Sequence, residues 1–292
     1  MNTRSNRIQI VSENLSDIKV MALSWKEKNE VVGFIPTMGN LHEGHLSLIR
    51  KIRDYGATKT IVSIYVNPKQ FGPGEDYAEY PRTPDEDIKL LEKLNVDCVF
   101  CPSDQEIYPP NAESQVMIDN LSLMHELCGK YRPGHFDGVL LVVNRLLNII
   151  QPNIAIFGQK DYQQYVLIKN MVQQLFLSTE ILMAPIIREN DGLAMSSRNS
   201  YLNSNQRSKA LHLYKSLIST SRKIRENKID YKSILRTEIE RLNKIGLSVD
   251  YLELRTSNDL SNVKKYKKMN GKYVLLGAIK LGKTRLIDNI IL

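Results

Sequence analysis

Two histidines three residues apart, His42 and His45, stand in the segment PTMGNLHEGH (36–45), directly after an apolar, β-branched run. Pro36 and Gly39 suit a tight turn there, and Gly44 permits close backbone approach. At the start of a helix this spacing lets both imidazoles serve one site. The N–H groups of a helix N-terminus form an anion pocket, and two imidazoles beside it suit a phosphate. Zinc is the rival chemistry. The metalloprotease pattern HExxH sets its histidines four apart, with the glutamate following the first; here Glu43 lies between histidines three apart. A third histidine ligand could come only from His125, His135 or His212. The bland reading is two satisfied surface histidines, against which stand the glycines and the strand-end position.

Three further segments follow strand-like runs in the same way. VNPKQFGPGEDYAEYPRT (66–83) is rich in Gly and Pro and carries Asn67 and Gln70 at its entrance. Neutral amides that both donate and accept suit a small substrate bearing hydroxyl and carboxylate groups. Asp85, Glu86 and Asp87 follow; they are candidate Mg²⁺ ligands, Asp87 foremost, or equally an acidic first helical turn answering the macrodipole. In FGQKDYQQ (157–164), Gly158, Lys160 and Asp161 look like a phosphate cation with a ribose or magnesium acceptor, and Gln163 and Gln164 add amides one turn later. ENDGLAMSSRNSYL (189–202) offers Ser196, Ser197 and Arg198 as a grip on phosphate oxygens, with Gly192 able to let the loop close. Its bland reading is a linker with a serine N-cap. No covalent nucleophile stands with a base, and the G-x-S-x-G elbow, the P-loop and the dinucleotide GxGxxG are missing from the right contexts. A nucleotide-phosphate site working by positioning and charge stabilisation remains.

The elements that must hold these loops alternate. Runs at 31–36, 59–66, 96–102 and 153–158 read as strands, and 43–56, 84–94 and 138–150 as helices with one buried face. That order predicts an α/β fold with a parallel sheet, whose ligands sit beyond the carboxyl ends of the strands. A further apolar run, 179–187, ends the alternation near Pro185. Two basic amphipathic helices (204–227 and 230–246) and strand-like runs at 249–255, 272–281 and 284–292 then read as a smaller α+β domain.

The 292 residues amount to about two typical domains. With 42% hydrophobic and 25% charged residues and a mean hydropathy of −0.30, disorder, collagen and a polytopic membrane protein are excluded. The most apolar stretch, 138–157, is interrupted by Asn144, Arg145, Asn148 and Pro152, and reads as a buried helix and strand rather than a membrane span. Arg4 and Arg7 precede no apolar core, so no signal peptide is expected. Three cysteines suit a reducing, cytoplasmic compartment, and the lone Cys98-x-x-Cys101 lacks a second ligand pair for a metal knuckle. The net charge of +8 divides unequally. Residues 186–292 hold 22 basic against 10 acidic side chains, net +12; residues 1–185 hold 18 against 22, net −4.

Taken together, PTMGNLHEGH, VNPKQF with YPRT, FGQKDYQQ and DGLAMSSRNSYL occur in the order and spacing of the pantothenate synthetase (pantoate–β-alanine ligase) family, of the nucleotidyltransferase superfamily. The chain resembles that family over nearly its whole length, most strongly over 31–202. RPGHFDGVLLVVNRLLNIIQP (132–152), DYLELR (250–255) and GKTRLIDN (282–289) extend the match. The resemblance implies a Rossmann-type parallel-sheet domain binding ATP and pantoate (1–185) and a smaller α+β lid domain (186–292). It implies an ATP- and Mg²⁺-dependent condensation of pantoate with β-alanine to pantothenate, AMP and pyrophosphate through pantoyl adenylate, a step toward coenzyme A. It further implies a cytoplasmic homodimer with no nucleic-acid or membrane partner.

Carried over by motif, ATP would meet Met38, Gly39, Asn40, Leu41, His42, Glu43, Gly44 and His45; Gly158, Gln159, Lys160 and Asp161; and Ile187, Met195, Ser196, Ser197 and Arg198. His45 would donate a proton to phosphate with His42 beside it, and Lys160 and Arg198 would balance charge. Gln70 and Gln164 would bind pantoate, with Asn67 beside them, and Gln70 would border β-alanine. Asn40, Lys69 and Gln159 depart from the Ala, Met and Glu usual in the family, which puts affinities in question. Two other readings stay in view. A related enzyme could use the basic cluster 261–273 on tRNA, though that cluster's aromatics are only its tyrosines. A non-catalytic nucleotide-binding module is the other.

Overall fold

Apolar runs without alternation are the mark of strands covered on both faces, and the centre of this molecule is built from them. In the computed structural model, which describes residues 8–12, 14–110, 122–226 and 230–292, β2 (Val32–Thr37) is almost wholly buried. It pairs in parallel with β3 (Lys59–Ile64), Phe34 opposite Ile61, and with β5 (Ile154–Gly158), Gly33 opposite Ile154. The six-stranded order is β1 (Gln9–Ser12), β4 (Cys98–Cys101), β3, β2, β5 and β6 (Glu180–Ala184), all parallel, a Rossmann-like sheet. From β2 the strands β3 and β4 run outward on one side, with β1 added at the edge, and from β5 the strand β6 runs outward on the other. The order therefore reverses between these two, and the crevice at their carboxyl ends is the expected ligand site.

Helices α2 (Glu43–Asp54), α3 (Pro84–Lys93) and, after the four-residue α4 (Asp104–Ile107) and α5 (Cys128–Tyr131), α6 (His135–Ile150) pack against this sheet or its loops. Ile35, Ile49, Ile52, Val62, Leu91, Val99 and Ile156 form one core cluster. The apolar stretch 138–157 divides into α6 and β5 as expected, and no described helix is long and apolar enough to cross a membrane. Strand β1 and helix α1 (Leu15–Glu27) are additions to the expected pattern. A four-residue strand is too short to show a period, and α1 buries only Ile18, Met21 and Ala22. Arg4, Arg7 and Asn227 lie outside the described residues.

In the remaining part, α8 (Ser204–Glu226) and α9 (Tyr231–Lys244) cover an antiparallel sheet, β7 (Ser248–Thr256), β8 (Tyr273–Leu281) and β9 (Thr284–Ile291). Leu213, Leu217, Leu242, Leu252, Leu275 and Ile279 make its own core. The chain separates into two compact units, Met1–Gly158 with Leu167–Ala184, and Gln159–Val166 with Pro185–Leu292. This differs in one respect from a cut at 185, since residues 159–166 group with the second unit. Side-chain bonds explain it: Asn289 on β9 donates to the carbonyls of Gln159 and Lys160, and the Tyr162 hydroxyl donates to the carbonyl of Ser257.

The CxxC pair behaves as strand residues. Cys98 is buried and Cys101 partly so. Burial, with neighbouring acidic groups, pushes their thiols up to about 12 and about 11. Among the described residues, no group of three or more His, Cys, Asp or Glu is placed to hold a metal.

Candidate active site

The segment 38–45 leaves β2 at the crevice, and its backbone conformation is fixed by residue type. Gly39 and Asn40 have positive φ, 78° and 49°. Asn tolerates that region where most L-residues resist it, which accounts physically for Asn40 at a position where the family often has Ala. The turn closes on a carboxylate from α3. Asp87, 1% exposed, accepts from Asn40 N (2.8 Å, Oδ2) and Leu41 N (2.7 Å, Oδ1), and Thr83 Oγ1 adds a third bond. Both carboxylate oxygens are thus committed to the protein. Asp87 is thus a buried clamp on the turn, as an acidic first helical turn that answers backbone amides would be.

His42 caps α2: its Nδ1 accepts from Gly44 N (3.1 Å), while His45 Nδ1 accepts from His42 N (3.3 Å). The two rings lie 4.1 Å apart, centroid to centroid. An imidazole nitrogen that accepts an N–H carries no proton, so each neutral ring holds its proton on Nε2. The amides expected to cradle a phosphate are largely answered from within, by His42 and Asp87. The two caps therefore leave Nε2–H as the donor of each of these adjacent rings. Glu43 pairs with Arg50 on the surface.

The second loop of the first unit is equally built. Asn67, 1% exposed, caps the 3-10 turn Pro68–Gln70. Its Oδ1 accepts from Lys69 N (3.2 Å) and the Tyr108 hydroxyl (2.7 Å), and its Nδ2 donates to Gln70 Oε1 and Gly138 O (both 3.0 Å). With these four bonds Asn67 holds the turn and orients the Gln70 amide. Gln70 Nε2 reaches Met38 Sδ at 3.0 Å, which joins this turn to the 38–45 segment. Lys69, the other departure here, places its Nζ 5.3 Å from the centre of the Tyr108 ring.

In the second unit, Lys160 and Asp161 lie in the 3-10 turn Gln159–Asp161, and Gln164 is partly buried in the first turn of α7 (Tyr162–Gln174). Asn289, 2% exposed, holds that turn by two carbonyls, Gln159 O (2.9 Å) and Lys160 O (3.1 Å), while its Oδ1 accepts from Gln159 Nε2 (3.0 Å). The Gln159 amide is therefore suited to this partner. Next to it, Asp288 takes Arg188 in a bidentate pair (2.7 and 2.9 Å), and Arg188 lies 3.6 Å over the Tyr214 ring. Burial raises the Asp288 carboxyl above its ordinary range despite the opposing pull of Arg188 and Lys160.

The loop after Arg188 is braced. Met195 N donates to Ile187 O, Asn199 to Glu189, and Arg207 pairs with both Glu189 and Asp191. Ser196 Oγ accepts from Arg198 N (3.3 Å) and caps the 3-10 turn Ser197–Tyr201, so the serine N-cap foreseen as the bland reading is present, with Ser197 and Arg198 at the start of that turn.

Comparison with known proteins now decides the family. The model of the Pantoate-beta-alanine ligase family matches residues 10–291. The chain belongs to this family. Pantothenate synthetases from Fervidobacterium nodosum and Acetivibrio thermocellus are each 45% identical to it, across 96% of this chain and 98% of theirs. A solved pantothenate synthetase from Thermus thermophilus superposes with a TM-score of 0.88 at 37% identity, covering 97% of this chain and 99% of that one. A pantoate-beta-alanine ligase from Francisella tularensis, solved in complex with a β,γ-ATP compound and β-alanine, gives a TM-score of 0.76 at 36% identity and 98% coverage of both chains. As a pantoate–β-alanine ligase (EC 6.3.2.1), the enzyme forms pantothenate with ATP.

For this ligase, the supporting residues Asp288 and Asn289 were not singled out by the sequence. Asp288 and Asn289 were visible only as part of the motif GKTRLIDN, and their task is set by partners about a hundred or more residues away. A paired Asp-Asn on a final strand was the available signal.

Proposed function

We propose that the ligase works in two steps through pantoyl adenylate. A carboxylate oxygen of pantoate attacks the α-phosphorus of ATP, the bond from that phosphorus to the bridging oxygen of the β-phosphate breaks, and pyrophosphate leaves. The neutral β-alanine amine then attacks the acyl carbon, the bond from that carbon to the phosphate oxygen breaks, AMP departs, and the nitrogen gives one proton to solvent. Charge builds on the phosphate oxygens in the first step, so fixed donors there stabilise the transition state more than the ground state.

The observation that carries this reading is the reciprocal cap of His42 and His45, which orients two Nε2–H groups without further ordering cost at the moment of reaction. His45 acts as proton donor to phosphate with His42 beside it. Residues 38–45 of the first unit, and Gly158 at the end of β5, serve ATP. Gln159, Lys160, Asp161, Ile187, Met195, Ser196, Ser197 and Arg198 of the second unit serve it too, the cations of Lys160 and Arg198 balancing its phosphates. Gln70 and Gln164 take pantoate, and Gln70 borders β-alanine. Mg²⁺ enters as the counter-ion of ATP. A cytoplasmic homodimer completes the reading, and light scattering on the purified protein tests the dimer.

The decisive experiment is isotope exchange between pyrophosphate and ATP. Exchange should require pantoate and proceed without β-alanine; exchange driven by an amino acid, or none with any acid, would refute the two-step reading.

A further inference from the structure

We propose that His135 and Arg132 are positioning residues for Gln70, fixing the main chain from which its amide meets pantoate. The inference rests on the reading that Gln70 binds that substrate. A 3-10 turn of three residues has little hold on its own conformation, and here α6 provides it. Gly138 lies so close to the turn that a Cβ there would stand 2.2 Å from Lys69 O and 2.6 Å from Gln70 N. No larger residue permits this approach. One turn earlier on the same helix, His135 is 8% exposed, with Nδ1 at 2.8 Å from Gln70 O and Nε2 at 2.8 Å from an Arg132 guanidinium nitrogen.

The chemistry of the partners settles the proton. A guanidinium only donates, so His135 Nε2 must accept, and the proton sits on Nδ1, where it is given to the Gln70 carbonyl. Both ring nitrogens are engaged in holding geometry. The other edge of Arg132 makes a bidentate pair with Glu75 (2.7 and 2.6 Å), and Glu75 Oε2 accepts from Gly72 N at 3.3 Å. One relay, Glu75–Arg132–His135, therefore grips the chain at the carbonyl of Gln70 and at the amide two residues on.

Replacement side chains can separate the two ends of the imidazole. His135→Asn keeps an N–H near the place of Nδ1, whereas His135→Gln reaches only toward the place of Nε2. With His135→Ala and Gln70→Ala beside them, each is measured for the KM of pantoate, the KM of ATP, kcat in pyrophosphate exchange, and Tm. His135→Ala and His135→Gln should raise the KM of pantoate about tenfold while the KM of ATP moves less than about twofold. His135→Asn should recover most of the loss. If His135→Ala does not fold, the Asn and Gln variants, which both keep a polar group, make the same comparison. Equal pantoate KM values for those two, or a parallel rise in the KM of ATP, would show a merely structural histidine and overturn the proposal. An unchanged pantoate KM in Gln70→Ala would instead overturn the reading of Gln70, and with it the role given to its supports.

Discussion

The two units hold the side chains proposed for the site by different means. In the first, His42 and His45 are fixed by the helix they start: each ring accepts a backbone N–H within three residues of itself. In the second, Lys160 sits in a short turn whose carbonyls are held by Asn289, and Arg188 at the start of the neighbouring loop is held by Asp288. The first arrangement couples chemistry to local backbone geometry. The second places it at the mercy of one distant strand, β9. The difference teaches where damage should appear: at the reactive residues themselves in one unit, and also far along the chain in the other.

The largest effect expected is at the local pair. His45→Ala should lower turnover by about 10²–10⁴-fold through loss of the proton donor, and cost about 1 kcal/mol of stability through loss of half the cap. Stopped-flow assay and thermal melts read the two separately, and a near-native rate would remove His45 from the mechanism. Lys160→Ala should cost about 10²–10³-fold in rate with little change in Tm, because its side chain carries charge while its carbonyl carries the structure. A change confined to Tm would reverse that assignment.

Asn289→Ala sharpens the contrast. It touches no substrate in this reading, yet should raise the KM of ATP about tenfold, since it frees the turn that presents Lys160. Equal effects on the KM values of ATP and pantoate would mean that β9 supports the unit as a whole.

The smallest effect is a pH dependence in the first unit. Burial alone would raise the Glu75 carboxyl, but the bonds and charge of Arg132 and the amide of Gly72 outweigh it and hold it below 4.5. A depressed carboxyl contributes stability that is present above its unfolded value of 4.5 and is lost as pH falls through the lower folded value. Glu75→Gln should therefore lower Tm by a few degrees at pH 7, and the gap to the unsubstituted enzyme should narrow as pH drops below 4.5. A gap independent of pH would show that the charge of Glu75 is not what braces the relay.

Much of this was legible in the chain. The β-α alternation of residues 31–184 was readable because buried parallel strands require unbroken apolar runs, and the four strand-end motifs were readable because phosphate chemistry restricts residue type. Asp87 was left open between a Mg²⁺ ligand and an acidic first turn, and Asn67 was read as a substrate amide, for a plain reason. An acidic first turn and a loop amide look the same in sequence whether they meet a substrate or a backbone amide. Position 40 was seen as a departure, but its left-handed backbone conformation was not.

What the sequence by itself determined is the family, the α/β frame followed by a basic α+β unit, and the set of candidate side chains: two imidazoles at the head of a helix, Gln70, Lys160 and Arg198. Tertiary structure alone decided which polar groups face inward. The carboxylate of Asp87 reaches amides 46 and 47 residues away, and the amide of Asn289 reaches a turn 129 and 130 residues away. A buried hydrogen bond is satisfied by proximity in space, and no local pattern records which distant partner will supply it.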